Sequence, residues 1–339
     1  MAATVVCPSR NVEVVCESVQ VTSAEKASVC VLGTGLIGGS LLRAAVGAGY
    51  DAWGFNRSSA GAQTARADGF EVTEELSAAL TRAAEADALI VIAVPMPAVA
   101  HMLSAIASFA PRCVLTDVVS VKAPVAEAVR KEGLSARYVG GHPMAGTAES
   151  GWGATDSGLF RDAVWAVGVD EGTHVEAWTR VVRLALDCGS VVVPVVADEH
   201  DRAVARISHL PHVLAEALAS AGAAGGELAL GLAAGSFRDG TRVAATAPDL
   251  VRAICEPNSA ALLAVLEETL TVLGAARDSL RADNSLADLI EAGHDARERY
   301  ETAQRWEITD IHPGDHNWLP NLRDAGQRGG VITRLNRSR

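Results

Sequence analysis

A handful of short stretches hold the residue types that can do chemistry. The first is "GTGLIGGS", where Gly33, Gly35 and Gly38 carry the GxGxxG spacing. Between a strand and a helix this spacing suits a dinucleotide. The first glycine turns tightly, the second admits a pyrophosphate, and the third lets helix and strand pack closely. Leu36 and Ile37 lie in the first turn of that helix, whose free N–H groups face the anion. The second stretch is "GFNRSS", at the end of the next strand. An NAD site usually places an acid there, but this chain has Asn56, Arg57 and Ser58. No carboxylate repels a 2′-phosphate, and an arginine beside hydroxyls can hold one. NADP is therefore the expected cofactor, with NAD the alternative. Ser58 also reads as an ordinary helix N-cap, and both readings can hold together. Ser120 in "TDVVSVKAPV" and His142 in "GGHPMAG" follow two later strands. A lone loop histidine is more often structural, but the flanking glycines and a serine at the same sheet edge reverse that prior. "SHLPH", with His209 and His212, and "GSFRDGTRVA", with Arg242, add histidines and arginines from further along. Zinc at His200, His209 and His212 lacks a convincing cysteine or acidic pair, so no metal is expected.

The elements that must position these residues are legible. "SVCVL", "DAWGF", "ALIVIAVP", "CVLTDV" and "ARYVGGH" read as strands, with helix-like segments between several of them. "AVWAVGV" and "SVVVPV" add two strands around a helix near Val175 to Leu186. Strands alternating with helices predict an α/β fold, a Rossmann-like doubly wound parallel sheet. In such a sheet the carboxyl ends of the strands open on one edge, which would bring Ser120 and His142 together. From about residue 195 the strand signals nearly vanish. There Ala203, Ile207, Leu210, Leu214 and Ala217 trace an apolar helix face, and His209 and His212 lie on another with Ala205 and Glu216. Pro211 should kink that helix. Further helices are expected over roughly 248–255, 258–283 and 284–303. The division that follows is a leader over 1–26, flexible or a short strand, a dinucleotide-binding domain over 27–195, and a helical domain over 196–306. A tail over 307–339, with Pro, Gly and several Arg, is expected to be flexible or loosely docked.

Composition narrows the partners. The formal net charge of −12 argues against nonspecific binding to nucleic acid or an anionic membrane. Six scattered cysteines without a CxxC read as reduced thiols, which together with the lack of a signal peptide points to the cytoplasm. No uninterrupted apolar run suggests a membrane span.

Taken together, "VLGTGLIGGSLLRA", "IVIAVPM", "TDVVSVK", "GGHPMAGTAESGW", "EHDRAVARISHLPH" and "SFRDGTRVA" are highly specific. The chain resembles the prephenate/arogenate dehydrogenases of tyrosine biosynthesis, most closely the actinobacterial type, over roughly residues 28–305. The resemblance implies an all-helical C-terminal domain that builds a homodimer. It also implies oxidative decarboxylation of prephenate or L-arogenate with NAD(P)+, leaning toward arogenate. His142 falls on the family's catalytic histidine, Ser120 on the serine that bonds near it, Arg242 on the arginine that binds substrate carboxylate, and His212 on a second active-site histidine. One departure is Ala148, where the family often has an acid, with Glu149 one place later. That unsettles any acidic gating network carried over from other members. Neither an appended tyrosine-sensing domain nor a fused chorismate mutase is expected.

Two rival readings remain at this level. One is another two-domain reductase, such as a 3-hydroxyacid dehydrogenase or a pyrroline carboxylate reductase. The hydroxyacid enzymes use a lysine from the second half, and this chain has none after Lys131. The other is a nucleotide-binding sensor without turnover, which would not need Ser120, His142 and Arg242 together.

Overall fold

The computed structural model describes residues 27–147 and 149–335. The leader and Ala148 lie outside the described residues. The first half alternates β1 (Ser28–Leu32), α1 (Leu36–Gly47), β2 (Asp51–Phe55), α2 (Ser59–Ala67), β3 (Val72–Thr73), α3 (Leu76–Glu85), β4 (Leu89–Ile92), α4 (Met96–Phe109), β5 (Leu115–Asp117), α5 (Ala123–Lys131) and β6 (Tyr138–Val139). These strands form one parallel sheet in the order β3-β2-β1-β4-β5-β6. That is the dinucleotide-binding order, reversing direction between β1 and β4. Val29 and Val31 enter one apolar core, while Cys30 and Leu32 enter another on the opposite face. A strand buried on both faces must be apolar throughout, and "SVCVL" is apolar after its first residue.

The fifth expected strand is in fact two. The chain turns at Gly140, and β7 (Gly141–Pro143) joins a second sheet with β8 (Val164–Gly168) and β9 (Val191–Val195). β7 runs antiparallel to β8, and β8 runs parallel to β9 across α6 (Val175–Asp187). Close approach explains the glycine pair. A Cβ on Gly141 would lie 2.7 Å from the Asp117 carbonyl oxygen, so only glycine lets β7 pass over the end of β5.

From Ala197 to Thr302 the chain is helical: α7 (Ala197–Val204), α8 (Leu210–Ala224), α9 (Gly226–Gly231), α10 (Gly235–Thr241), α11 (Pro248–Cys255), α12 (Ser259–Asp283) and α13 (Ala287–Thr302). The interruption expected at Pro211 takes the form of a π-helical segment, Ala205–His209, directly before α8. Proline removes a donor and crowds the carbonyl four residues back, and a widened turn relieves both. The apolar face traced by Ala203, Ile207, Leu210, Leu214 and Ala217 has no fully buried residue. Ala205, His209 and Ala215 are buried, whereas Ile207 is 68% exposed and Leu214 is exposed as well. The apolar face is not a core face of this chain. The same holds along α12, a 25-residue helix in which only Val265 is buried and Leu263, Leu270 and Leu273 are exposed. The run Pro248–Asp283 is long and apolar enough to cross a membrane by length and composition. Yet Glu267 and Glu268 fall at its middle, and Glu268 pairs with Arg206 at 2.7 Å.

The tail is a correction. Far from flexible or loose over its described part, it forms β10 (Trp306–Glu307), α14 (Trp318–Gln327) and β11 (Gly330–Val331). Ile332 bridges to Val192 beside β9, and Ile308, Leu322 and Ala325 are buried. Trp318 meets Trp178 edge to face at 5.3 Å. These apolar anchors are spaced among the Pro, Gly and Arg residues that made the composition read as loose.

Candidate active site

The glycine loop sits between β1 and α1, at the carboxyl end of the sheet. Gly33 has φ +103, and a Cβ on Gly38 would lie 1.9 Å from the Gly33 carbonyl oxygen. These two glycines are needed by the turn and by its packing. Gly35 differs, since a Cβ there would meet nothing within 4 Å. The space in front of it is open, beside Leu36 and Ile37 at the first turn of α1. That turn has no side-chain cap and no acidic residue. Uncapped N–H groups facing open space next to a glycine fit a pyrophosphate.

At the end of β2, Asn56 bridges two segments. Its Nδ2 donates to Thr34 Oγ1 at 2.8 Å, and its Oδ1 accepts from the Ser58 N–H at 2.9 Å. Ser58 is the N-cap of α2, accepting from the Gly61 N–H at 3.3 Å. Ser59 donates to Glu74, an acid beyond β3 that the sequence reading did not weigh. Arg57 is exposed and makes no hydrogen bond or ion pair among the described residues.

His142, on β7, is partly buried. Its Nδ1 lies 2.9 Å from Nε2 of His200, on α7. The nearest polar contact of the sequence-identified histidine is therefore a residue considered only as a zinc ligand. His200 is buried and bonds through Nδ1 to Asp201 Oδ1 at 2.8 Å. Asp201 also accepts from the backbone N–H groups of Lys122 at 2.7 Å and Ala123 at 2.9 Å. Burial alone would raise the Asp201 carboxyl, but the bonds from His200 and from these two amides hold it below the usual carboxylate range. Burial pushes the His142 imidazole well below its ordinary value, helped by neighbouring His200, Lys122 and His209. The ring is thus neutral at physiological pH.

Beneath β7 lies a buried ion pair. Lys122 Nζ bonds Asp117 and also the Gly141 carbonyl at 2.6 Å, one residue before His142. Tyr138 donates to Asp117 at 2.6 Å. Lys122 thereby ties the end of β5 to the strand that carries His142. Its side chain is 5% exposed, and losing its partner would strand a buried charge.

The other expected residues are placed less tightly. Ser120 lies half-buried in the loop after β5, on the same sheet edge as His142, and no side-chain hydrogen bond joins the two. His212 sits in the first turn of α8, and its Nδ1 is buried without a partner. Arg242 opens a 3₁₀ turn after α10 that packs on α8, with an exposed side chain that forms no ion pair among the described residues. His209 instead accepts from Asn258 Nδ2 at 3.1 Å, and burial lowers its pKa to about 4. His200, Asp201 and Lys122 are what sequence reasoning missed, although "EHD" and "SVK" lie inside the motifs it singled out.

Comparison with known proteins agrees with this architecture. The family model for the prephenate dehydrogenase nucleotide-binding domain matches residues 47–194, and that for the prephenate dehydrogenase dimerization domain matches 196–292. A cyclohexadienyl dehydrogenase from Zymomonas mobilis is 31% identical over 269 residues, covering 76% of this chain and 89% of its own. A candidate prephenate dehydrogenase from Corynebacterium glutamicum superposes with TM-score 0.87 at 48% identity, over 90% of this chain and 98% of that one. Synechocystis arogenate dehydrogenase superposes with TM-score 0.70 at 29% identity, over 80% of this chain and 99% of that one. With both domains matched in sequence and the fold shared along nearly its whole described length, the chain belongs to the prephenate dehydrogenase family.

Proposed function

We propose that the chain oxidises and decarboxylates prephenate or L-arogenate with NAD(P)+, giving 4-hydroxyphenylpyruvate or L-tyrosine. The observation that carries this reading is His142, a neutral imidazole fixed by one ring nitrogen at the carboxyl edge of a dinucleotide-binding sheet. His142 takes the proton of the ring 4-hydroxyl as that carbon becomes a carbonyl. The bound nicotinamide supplies the acceptor for the hydride that leaves the same carbon. The ring carboxylate then departs as CO2, its bonding pair aromatises the ring, and the phenolic oxygen takes the proton back. Arg242 binds substrate carboxylate through its planar fork of donors. Ser120 bonds near the reacting hydroxyl, and His212 offers its unpartnered nitrogen to the substrate.

NADP is the preferred cofactor in this reading. Asn56 stands where an acid would repel a 2′-phosphate, and Arg57, exposed beside it, makes no ion pair among the described residues. The enzyme works as a cytoplasmic homodimer, with a second copy covering the apolar faces of α8 and α12. Comparing kcat/KM for both substrates with both cofactors tests the whole assignment. Dinucleotide binding with no turnover of either substrate would instead favour a sensor.

A further inference from the structure

The chain of contacts behind His142 crosses from one domain to the other and does more than fill space. Asp201 is an ionised acceptor, so the hydrogen between it and His200 belongs to His200 Nδ1. In neutral His200 the other nitrogen, Nε2, is then bare. Two ring nitrogens facing each other at 2.9 Å need one hydrogen between them, and His142 Nδ1 must supply it. That leaves His142 Nε2 without a hydrogen. We propose that His200 and Asp201 are positioning residues that hold His142 in the tautomer with a bare Nε2, the form able to accept a proton. The inference rests on His142 being the proton acceptor.

Two further observations support it. His200 and Asp201 are both buried, at 3% and 7% side-chain exposure, so water does not compete for these bonds. Asp201 is also held in place, because the amides of Lys122 and Ala123 and the His200 ring all point at its carboxylate. Asn258 Nδ2 fixes the Asp201 carbonyl at 2.8 Å. A rigid acceptor at the far end is what sets a histidine tautomer.

Two substitutions and one spectrum test this. His200→Phe keeps the ring volume and removes the acceptor. His200→Gln keeps an oxygen to accept from His142 and an amide to donate to Asp201. In His200→Phe, kcat should fall by roughly 10²-fold or more while cofactor KM stays within about threefold. His200→Gln should recover at least about tenfold of that loss. The direct readout is the ¹⁵N spectrum of histidine-labelled protein, with the His142 signals assigned by their loss in His142→Asn. Wild type should show His142 protonated at Nδ1, and His200→Phe should shift the hydrogen toward Nε2. An Nε2–H tautomer in wild type would overturn the proposal. So would a Gln variant no more active than the Phe variant when both bind dinucleotide normally. The tautomer is read without turnover, so its failure is distinct from failure of the base assignment, which shows as a His142→Asn variant with near-normal kcat.

Discussion

At the scale of single residues, the proposed chemistry rests on a ring whose environment disfavours charge. His142→Asn removes the proposed proton acceptor and should lower kcat by roughly 10²–10⁴-fold with cofactor affinity nearly unchanged. The wild-type pH profile should carry the same signature. A base must be unprotonated to act, and burial holds this one well below its ordinary value. The acid limb of kcat/KM should therefore fall below about pH 6.5. A limb at or above that pH would assign it to another group. Arg57 is tested by Arg57→Ala, which should weaken NADP about tenfold or more and leave NAD nearly unchanged, as expected for one charge-assisted bond. An unaltered ratio of kcat/KM for the two cofactors would mean that Arg57 does not meet the phosphate. Residue types and their motifs pointed to His142 and the glycine loop as candidates. His200 was legible only as a histidine, because its contact to His142 spans 58 positions, from β7 to α7, and no periodicity encodes such a pairing.

At the scale of elements, local pattern predicted the sheet well because β1, β2 and β4 are short apolar runs bounded by turns. It missed the break at Gly140, since two glycines in a strand-like run do not say which way the chain leaves. It also misread the tail, whose anchors are single apolar residues far apart. The glycine loop separates packing from binding by a clean pair of changes. Gly38→Ala drives a Cβ into the Gly33 carbonyl and should destabilise the fold by about 1–3 kcal/mol. Gly35→Val enters open space and should leave Tm near wild type while weakening dinucleotide at least about tenfold. Thermal unfolding and cofactor titration, run on both variants, check the distinction.

At the scale of the whole molecule, the helical half is a surface waiting for its counterpart. Leu228 and Leu232 are 76% and 75% exposed, and Leu263 and Leu270 follow the same pattern along α12. The double change Leu263→Glu and Leu270→Glu would place two unpaired charges in the proposed dimer contact, at a cost of several kcal/mol. Sedimentation should show a dimer for wild type and a monomer for the variant at micromolar concentration. A monomeric wild type would refute the shared face.

Asp201 belongs to α7, yet the amides it receives stand at the start of α5, beside the parallel sheet. The same carboxylate thus seals a neighbour's helix end and anchors the ring behind His142. Parting the domains at this seam would break both at once. Under the proposed role, a molecule open at this seam would lose the support behind His142, and reactants would come and go with the seam shut. The Lys122 and Ala123 amides should accordingly exchange with deuterium as slowly as the central strands, with or without cofactor, and rapid exchange at either would show that the joint swings freely.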